Sequence, residues 1–408
     1  MSDRPPSVEG RGSWAAAGVT LAILTISYGS PLPIVVGLKP IQEALGTDRS
    51  VIALAGSLVW VGTGLGGIPM GWLADRIGIR PVIGIGAIMI ALGLAISSIG
   101  GIIPLYLGHG LLIGLIGNGA IYAPLLIYVS RWFDRRRGAA IALISSGQYI
   151  AGVFWPSVFE RGIATYGWQA TMLAYAGVVL VGILPMLALL QPVPKPVSAG
   201  PAVSAGRDRS VLGLSPNMVQ ALLCVAGFCC CIPMAIPGSH LVAFCSDIGI
   251  SPVGGAAMLS VLLGCAFISR QFWGAMADRI GGLRTVMAGS ACQAAAIAAF
   301  LITQNEAGLF VIAGVYGLGF SGIIPSYSVA IRDLFPSAEA SWRIPTLLFT
   351  AMSGMAVGSW LAGRIYDHFG TYAPAFATGV AFNLLNLVLL GFLVTRQPRR
   401  SGPVLAPA

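Results

Sequence analysis

Charged residues are scarce in this sequence, and their scarcity excludes most soluble folds. Asp, Glu, Lys and Arg make up 9% of the 408 residues, whereas a typical soluble domain has about 25%. Hydrophobic residues make up 56% and form uncharged runs long enough to cross a bilayer, which takes about 20 residues. Such unbroken runs do not suit the alternating strands of a membrane β-barrel. The sequence therefore predicts an all-α membrane protein.

The sequence also lacks the usual signatures of an enzyme or a metal site. Its seven cysteines have no zinc-type spacing, and three of them form the contiguous run 229–231. There is no phosphate-binding loop. Gly62-x-Gly64-x-x-Gly67 has a dinucleotide-binding spacing, but it lies inside an apolar run with no strand before it, so we interpret it as helix packing. We expect no enzymatic activity, no cofactor and no metal.

The uncharged runs predict twelve transmembrane helices. The first run continues past Ile34, which is longer than a signal-peptide core, so we expect a membrane span there rather than a cleaved signal. The predicted spans are 14–38, 50–74, 81–99, 103–130, 138–159, 168–190, 217–245, 253–275, 285–304, 308–331, 344–363 and 372–394.

The distribution of positive charge predicts the orientation in the membrane. Of the 23 Lys and Arg residues, 18 fall on the side of the spans that carries both termini. Four fall on the other side, namely Lys39, Arg49, Arg161 and Arg364, and Arg270 falls within a span. Because Lys and Arg are enriched in cytoplasmic loops, we expect both termini in the cytoplasm and a multi-pass protein of the inner, or plasma, membrane. The net charge of +9 is then a topology signal, and no nucleic-acid partner is expected.

A repeated motif divides the chain into two halves. Gly71–Gly78 reads GWLADRIG and returns as GAMADRIG at Gly274–Gly281, 203 residues later. Between the copies, 191–216 is the longest polar connection, and its content of Pro and small residues is typical of a flexible linker. The sequence therefore predicts a six-helix bundle over 1–190, a cytoplasmic linker over 191–216 and a second six-helix bundle over 217–408.

The repeated motif resembles a loop of the major facilitator superfamily, and the resemblance covers nearly the whole chain. It implies two pseudo-symmetric six-helix halves that give alternating access to a central site. Within the motif, Gly lets neighbouring helices approach closely, and Asp beside Arg can latch helices in one state. The resemblance assigns six residues to gating and packing rather than to substrate binding: Gly71, Asp75, Arg76, Gly274, Asp278 and Arg279.

Other segments are similar to the branch of that superfamily that holds monocarboxylate transporters and oxalate/formate antiporters. The segment 131–140 reads RWFDRRRGAA, and the first predicted span contains SYGSP at 27–31 followed by GLKP at 37–40. The segment 363–372 reads GRIYDHFGTY. Together these segments imply transport of a carboxylate.

Arg270 is the formal charge that lies deepest in a predicted span. A charge at the bilayer centre costs roughly 2.5–3.5 kcal/mol on insertion scales, so it needs a partner or a water-filled cavity. No Asp or Glu lies well inside a predicted span, and the planar guanidinium suits a carboxylate. The resembled branch also places its carboxylate-binding Arg here, four residues before Gly274. We predict that Arg270 binds the substrate carboxylate; the alternative is that it snorkels or bonds backbone carbonyls.

Polar and aromatic residues at membrane depth complete the predicted site, because they should face the interior of the bundle. His240 follows Pro233 and Pro237, and broken helices in transporters line substrate cavities. His240 could hold a proton or the substrate, or be satisfied by backbone groups, and each Tyr could instead serve packing. The predicted substrate-binding residues are Arg270, Asn118, Tyr122, Tyr28, Tyr327, His240 and Gln148.

The sequence thus predicts a secondary active transporter of small organic anions, with monocarboxylates favoured. Animal members of the resembled branch carry Lys where this chain has Leu32 and Asp where it has Ala266, and both residues are tied there to proton coupling. Proton coupling and anion exchange therefore both stay open. The expected partners are a small carboxylate, the lipid bilayer and, in symport, protons, and we expect a monomer. Two alternatives remain: an efflux transporter of amphipathic compounds, and a non-transporting carboxylate sensor.

Overall fold

The structure, a computed structural model, describes residues 9–133, 136–192, 210–336 and 339–397. Within these ranges the regular elements are helices, and nine helical stretches are long and apolar enough to cross a membrane. Large apolar side chains are exposed on them, such as Ile268 at 69%, Val388 at 68% and Val181 at 77%. Exposure on this scale marks a lipid-facing surface rather than a water-facing one. The all-α prediction is confirmed, whereas the count of twelve spans is not.

Among its described residues, the first half of the chain contains nine α-helices, one π-helical segment, Leu107–Asn118, and a short 3-10 helix, Leu187–Leu189. The residues 28–31 interrupt the first predicted span, and Gly167, at φ 82° and ψ 163°, divides the longest helix in two. The α-helices are α1 Arg11–Ser27, α2 Leu32–Val36, α3 Leu38–Leu45, α4 Arg49–Ile77, α5 Ile79–Ser97, α6 Ile102–Tyr106, α7 Gly119–Ser130, α8 Arg137–Ser145 and α9 Gly147–Met186.

The described part of the second half contains seven α-helices. The helix break expected at Pro233 and Pro237 is absent, because both residues lie inside the continuous helix α10, whereas a short break separates α13 from α14. The helices are α10 Pro216–Asp247, α11 Pro252–Ile280, α12 Gly282–Ala299, α13 Glu306–Phe320, α14 Ile323–Leu334, α15 Ala340–Phe369 and α16 Ala373–Thr395.

The buried apolar side chains form two clusters that follow the order of the chain. One cluster runs from Ala16 to Leu190 and includes Ala243 from the second half. The other runs from Val219 to Leu393 and includes Tyr149 from the first half. The predicted domain boundaries stay a prediction, and most of the predicted linker, 193–209, lies outside the described residues.

The two halves meet along α4 against α15 and α9 against α11. The end of the bundle that carries α3, the start of α4 and the ends of α10 and α15 is termed the distal end, and the opposite end the proximal end. Close approach at the distal end requires Gly363, because a Cβ atom there would lie 2.7 Å from the Cα atom of Ser50. This seam encloses a central cavity.

Candidate functional site

A cavity of about 1270 Å³, counted out to its mouth, lies between the halves. Helices of both halves contribute to its wall, because the break at Tyr28 and the middle of α10, at Met234 and Ala235, both face it. Aromatic and aliphatic side chains dominate the lining, with a small number of polar groups, which is the usual make-up of a small-molecule site. Four of the seven predicted substrate-binding residues line it: Tyr28, Tyr122, Gln148 and Arg270.

Arg270 reaches this cavity from α11 and is only 7% exposed. Its Nη1 atom lies 3.5 Å from the carbonyl oxygen of Ser145, a weak bond at that length, and its guanidinium carbon lies 5.2 Å from the centre of the Tyr149 ring. Its Nε atom has no hydrogen-bond partner among the described residues. No described Asp or Glu forms an ion pair with it. Arg270 is therefore a buried cation with a hydrogen-bond donor that no described residue satisfies.

Aromatic rings surround the cavity around Arg270. Tyr28 and Tyr122 meet edge to face with ring centres 5.5 Å apart. Tyr149 meets Phe320 in the same way at 6.1 Å, and Phe320 lies 5.1 Å from Tyr316. Such pairs are favourable beyond the area that they bury, so they hold the wall in place. The pairs draw on both halves, and any motion between the halves therefore changes the shape of the cavity.

His240 lies outside the cavity lining and is fully buried. Its Nε2 atom lies 2.7 Å from the carbonyl oxygen of Ser359, and because a carbonyl only accepts, Nε2 carries the proton. Its Nδ1 atom lies 2.9 Å from Tyr372 Oη and accepts from that hydroxyl in the neutral ring. The backbone partner fits the structural alternative for His240. Ser359 itself lines the cavity, so His240 joins the cavity wall to the distal end.

The distal end is held by a buried charge network that centres on Arg49. Arg49 is 3% exposed and donates to both carboxylate oxygens of Asp247 and, over 3.1 Å, to Tyr372 Oη. Lys39 Nζ lies 3.4 Å from the same Asp247. The network links the two halves, because Arg49 and Lys39 belong to the first and Asp247 and Tyr372 to the second.

A second carboxylate also links the two halves at the distal end. Asp367, in α15, accepts from the backbone N–H groups of Arg49 at 2.8 Å and of Ser50 at 3.0 Å. These groups begin α4, and a helix N-terminus favours a negative charge because its first N–H groups lack helical partners. The carboxylate therefore caps a helix of the opposite half.

Asn118 and Tyr327, the two remaining predicted substrate-binding residues, also lie outside the cavity lining. Asn118 accepts a 2.6 Å hydrogen bond from Ser27 Oγ, directly before the break between α1 and α2, and its amide nitrogen has no partner among the described residues. Tyr327 donates to Asn386 Oδ1 at 3.1 Å. Their role in binding stays a prediction.

The predicted gating residues lie at the proximal end. Asp75 forms a 2.8 Å ion pair with Arg131, so this carboxylate pairs within its own half. The Arg76 guanidinium lies 3.7 Å from the centre of the Trp72 ring. A Cβ atom at Gly274 would meet nothing within 4 Å, and one at Gly71 would meet only Ile127, at 3.9 Å. Gating by these residues, together with Asp278 and Arg279, stays a prediction.

Sequence reasoning missed the distal network and much of the apolar wall. Trp60, Met234 and Met352 line the cavity, but in an apolar helix nothing separates a cavity-facing residue from a lipid-facing one. The sequence contained one indication of the contact between Arg49 and Asp247, because the two residues carry opposite charges and are predicted on the same side of the membrane. Their pairing across 198 residues nevertheless depends on tertiary structure. In the described ranges no cluster of three or more His, Cys, Asp or Glu is arranged to hold a metal.

The sequence of this chain is similar to that of a known protein family and to several of its members. The Major Facilitator Superfamily matches residues 15–270 and 223–407. MFS-type transporter pynF of Aspergillus niger is 26% identical over 338 residues, which are 80% of this chain and 76% of that protein. Monocarboxylate transporter 13 of Rattus norvegicus is 27% identical over 325 residues, 78% of this chain and 74% of that protein.

A solved structure shares the fold. A bacterial homologue of the human lysosomal transporter Spinster, in an inward-facing and unoccupied conformation, superposes with a TM-score of 0.74 at 14% identity, over 95% of this chain and 97% of that one. The resemblance to monocarboxylate transporters is confirmed at the level of sequence. The chain belongs to the Major Facilitator Superfamily and is a multi-pass membrane transporter.

Proposed function

We propose that this transporter moves small organic monocarboxylates by alternating access, with Arg270 as the carboxylate-binding residue. The observation that carries the proposal is a 7% exposed guanidinium beside a central cavity, with an unpartnered Nε atom. A bidentate carboxylate satisfies donors of this kind and neutralises the charge. Relatives named monocarboxylate transporters support the same substrate class.

The distal closure supports alternating access. In this structure the halves are tied at the distal end by the Arg49–Asp247 pair and by the Asp367 cap, while the Asp75–Arg131 pair at the proximal end stays within one half. We propose that this is the inward-facing state, with the termini in the cytoplasm and the protein in the plasma membrane. When a carboxylate neutralises Arg270, the halves can close over an uncharged site at a lower desolvation cost, and the distal end can then open.

The test is transport by the purified full chain in liposomes. We expect uptake of a labelled monocarboxylate above that of protein-free liposomes, and loss of this uptake in Arg270→Gln with an unchanged unfolding temperature. Arg364→Gln is the matched control, because Arg364 is exposed on α15 and does not line the cavity. Full uptake by Arg270→Gln would refute the assignment, and binding without flux in the parent would favour a sensor.

Coupling is tested in the same liposomes. Under proton symport, uptake acidifies the lumen, which an enclosed pH-sensitive dye reports. Under exchange, the lumen pH stays constant, and a monocarboxylate loaded inside accelerates uptake. Leu32 and Ala266 stand where animal members of the resembled branch carry residues tied to proton coupling. Their hydrophobic side chains therefore favour exchange over proton symport.

Efflux of amphipathic compounds is a second candidate, and the largely apolar wall favours it. In that case Arg270 supports the wall through Ser145 and Tyr149 rather than binding an anion. A neutral amphipathic compound should then be transported as well as a carboxylate of the same shape.

A further inference from the structure

The charged and amide side chains that line the cavity, Arg270 and Gln148, lie at one level. Arg270 lies ten residues before the end of α11, Tyr122 eight residues before the end of α7, and Gln148 eleven residues after the start of α8. All three helix ends are proximal, and at a rise of 1.5 Å per residue these side chains start about 12–17 Å from that end. Polar groups thus gather at one depth, and Tyr149 lies beside them, next to Arg270.

From this level to the distal end, the wall is mainly aliphatic. The lining there, termed the apolar chamber, consists of Ile34, Val35, Leu38, Ala53, Met234 and Leu262. Ala53 follows Arg49 by four residues, or about 6 Å along α4, so the chamber ends at the distal charge network. Ser239 and Ser359 also line this region, and the Ser359 carbonyl is already bonded to His240.

A short hydrophilic acid does not match this arrangement. The apolar wall extends about 12 Å from the level of Arg270, because Leu262 lies eight residues before it in α11. With its carboxylate on Arg270, a two- or three-carbon acid ends before the chamber and leaves the aliphatic wall in contact with water. A dicarboxylate of greater length puts its second charge into the chamber, where no described cation lines the wall, and an unpaired charge there is costly.

We propose that the substrate is an amphipathic monocarboxylate whose apolar body is about the size of an aromatic ring. Its carboxylate binds Arg270, and its apolar body fills the chamber toward the distal closure. This inference rests on the proposed function and narrows its substrate class. The aliphatic wall supplies most of the discrimination among acids, because Arg270 contacts the carboxylate that all of them share.

The test compares ligands of equal charge on the full chain in lipid nanodiscs, by isothermal titration calorimetry. We expect phenylacetate to bind at least about tenfold more tightly than acetate, since burying a ring removes a large apolar area from water. Succinate should bind no more tightly than acetate. Phenylacetamide, which lacks the charge, should bind at least about tenfold more weakly than phenylacetate because it leaves Arg270 unpaired.

Variants of the chamber wall give the second arm. Val35→Thr replaces a methyl group by a hydroxyl at nearly constant volume, and we expect it to reduce the phenylacetate-to-acetate affinity ratio at least about threefold. Val181→Thr is the matched control, because Val181 is 77% exposed on α9 and does not line the cavity. If Val35→Thr fails to fold, Ala53→Ser tests the same wall with a smaller change.

The outcomes separate the two proposals. Equal affinities for phenylacetate and acetate, both lost in Arg270→Gln, would overturn the chamber inference and leave the proposed function in place. An unchanged affinity ratio in both wall variants would also overturn the chamber inference. Equal binding of phenylacetamide and phenylacetate would overturn both the chamber inference and the proposed function. The absence of binding for every acid tested would do the same.

Discussion

At the scale of single residues, Arg270 has an environment that differs from that of the other buried arginines. Arg49 is 3% exposed but has Asp247 as a counter-ion, and Arg343 is 2% exposed with Glu339 as its partner. Arg270 has a weak carbonyl contact and a ring instead. Removing a charge from water without pairing it is unfavourable, so the fold keeps Arg270 beside a cavity that water or an anion can reach.

Arg270→Lys distinguishes charge from geometry. Lysine keeps the charge but presents a point donor rather than a planar fork. We expect the variant to bind monocarboxylates about tenfold more weakly than the parent, a loss of about 1.4 kcal/mol, whereas Arg270→Gln shows no measurable binding. Calorimetry in nanodiscs measures both. An Arg270→Lys variant as weak as Arg270→Gln would show that the fork, rather than the charge, dominates, and one equal to the parent would exclude a bidentate contact.

At the scale of helices, close backbone packing places the elements that line the cavity. The glycines of Gly62-x-Gly64-x-x-Gly67 have different surroundings. A Cβ atom at Gly62 would lie 2.7 Å from the backbone nitrogen of Leu115 and 2.8 Å from the carbonyl oxygen of Gly110, both in the π-helical segment. A Cβ atom at Gly64 would meet only side chains, with Phe349 at 3.6 Å. The interpretation of this motif as helix packing therefore agrees with the structure at Gly62.

Gly62→Ala should destabilise the protein because backbone atoms cannot move aside as a side chain can. We expect a loss of about 1–3 kcal/mol, the usual cost of overpacking, seen as a lower unfolding temperature in detergent. Gly64→Ala, two residues away in the same helix, is the control and should be neutral or slightly stabilising, since Ala favours a helix more than Gly does. Equal unfolding temperatures for the two variants would contradict the packing account.

At the scale of the whole molecule, the distal network sets the balance between the two access states. Arg49, Lys39, Asp247 and Asp367 link the halves only while the distal end is closed, so this closure must be lost for the cavity to open there. Because Arg49 is buried, loss of its counter-ion leaves an uncompensated charge in the closed state, at a cost of about 3–5 kcal/mol.

Asp247→Asn should therefore shift the population from the closed toward the open distal end by at least about tenfold. Spin labels at the exposed positions Ala44 and Thr371, one on each half, report the distance by pulsed electron paramagnetic resonance. The accessible native thiols, Cys224, Cys265 and Cys292, are replaced by Ser in the background.

The control for this shift is Asp48→Asn. Asp48 directly precedes Arg49 and makes no side-chain capping bond, so its substitution should leave the distance distribution unchanged. A closed distribution in Asp247→Asn like that of the parent would show that the Asp367 cap and the α4–α15 seam suffice for closure.

The sequence predicted part of the cavity lining for physical reasons that can be stated residue by residue. Arg270 was predictable because a charge in an apolar run must have a partner or a cavity. Tyr28, Tyr122 and Gln148 were predictable because polar groups avoid lipid, and all three line the cavity. The same rule does not say whether such a group meets the cavity or another buried group. Three predicted residues form hydrogen bonds to other buried groups instead, namely His240, Asn118 and Tyr327.

The sequence by itself determined the class and the family, because long uncharged runs can only be helices in a bilayer and because the repeated GWLADRIG and GAMADRIG segments are readable without a structure. Only the tertiary structure decided that Arg49 pairs with Asp247 and that Asp367 caps α4. It also decided which aliphatic residues face the cavity rather than lipid. In an apolar helix every face has the same composition, so the side that meets the cavity is fixed by packing against the opposite half rather than by any pattern along the chain.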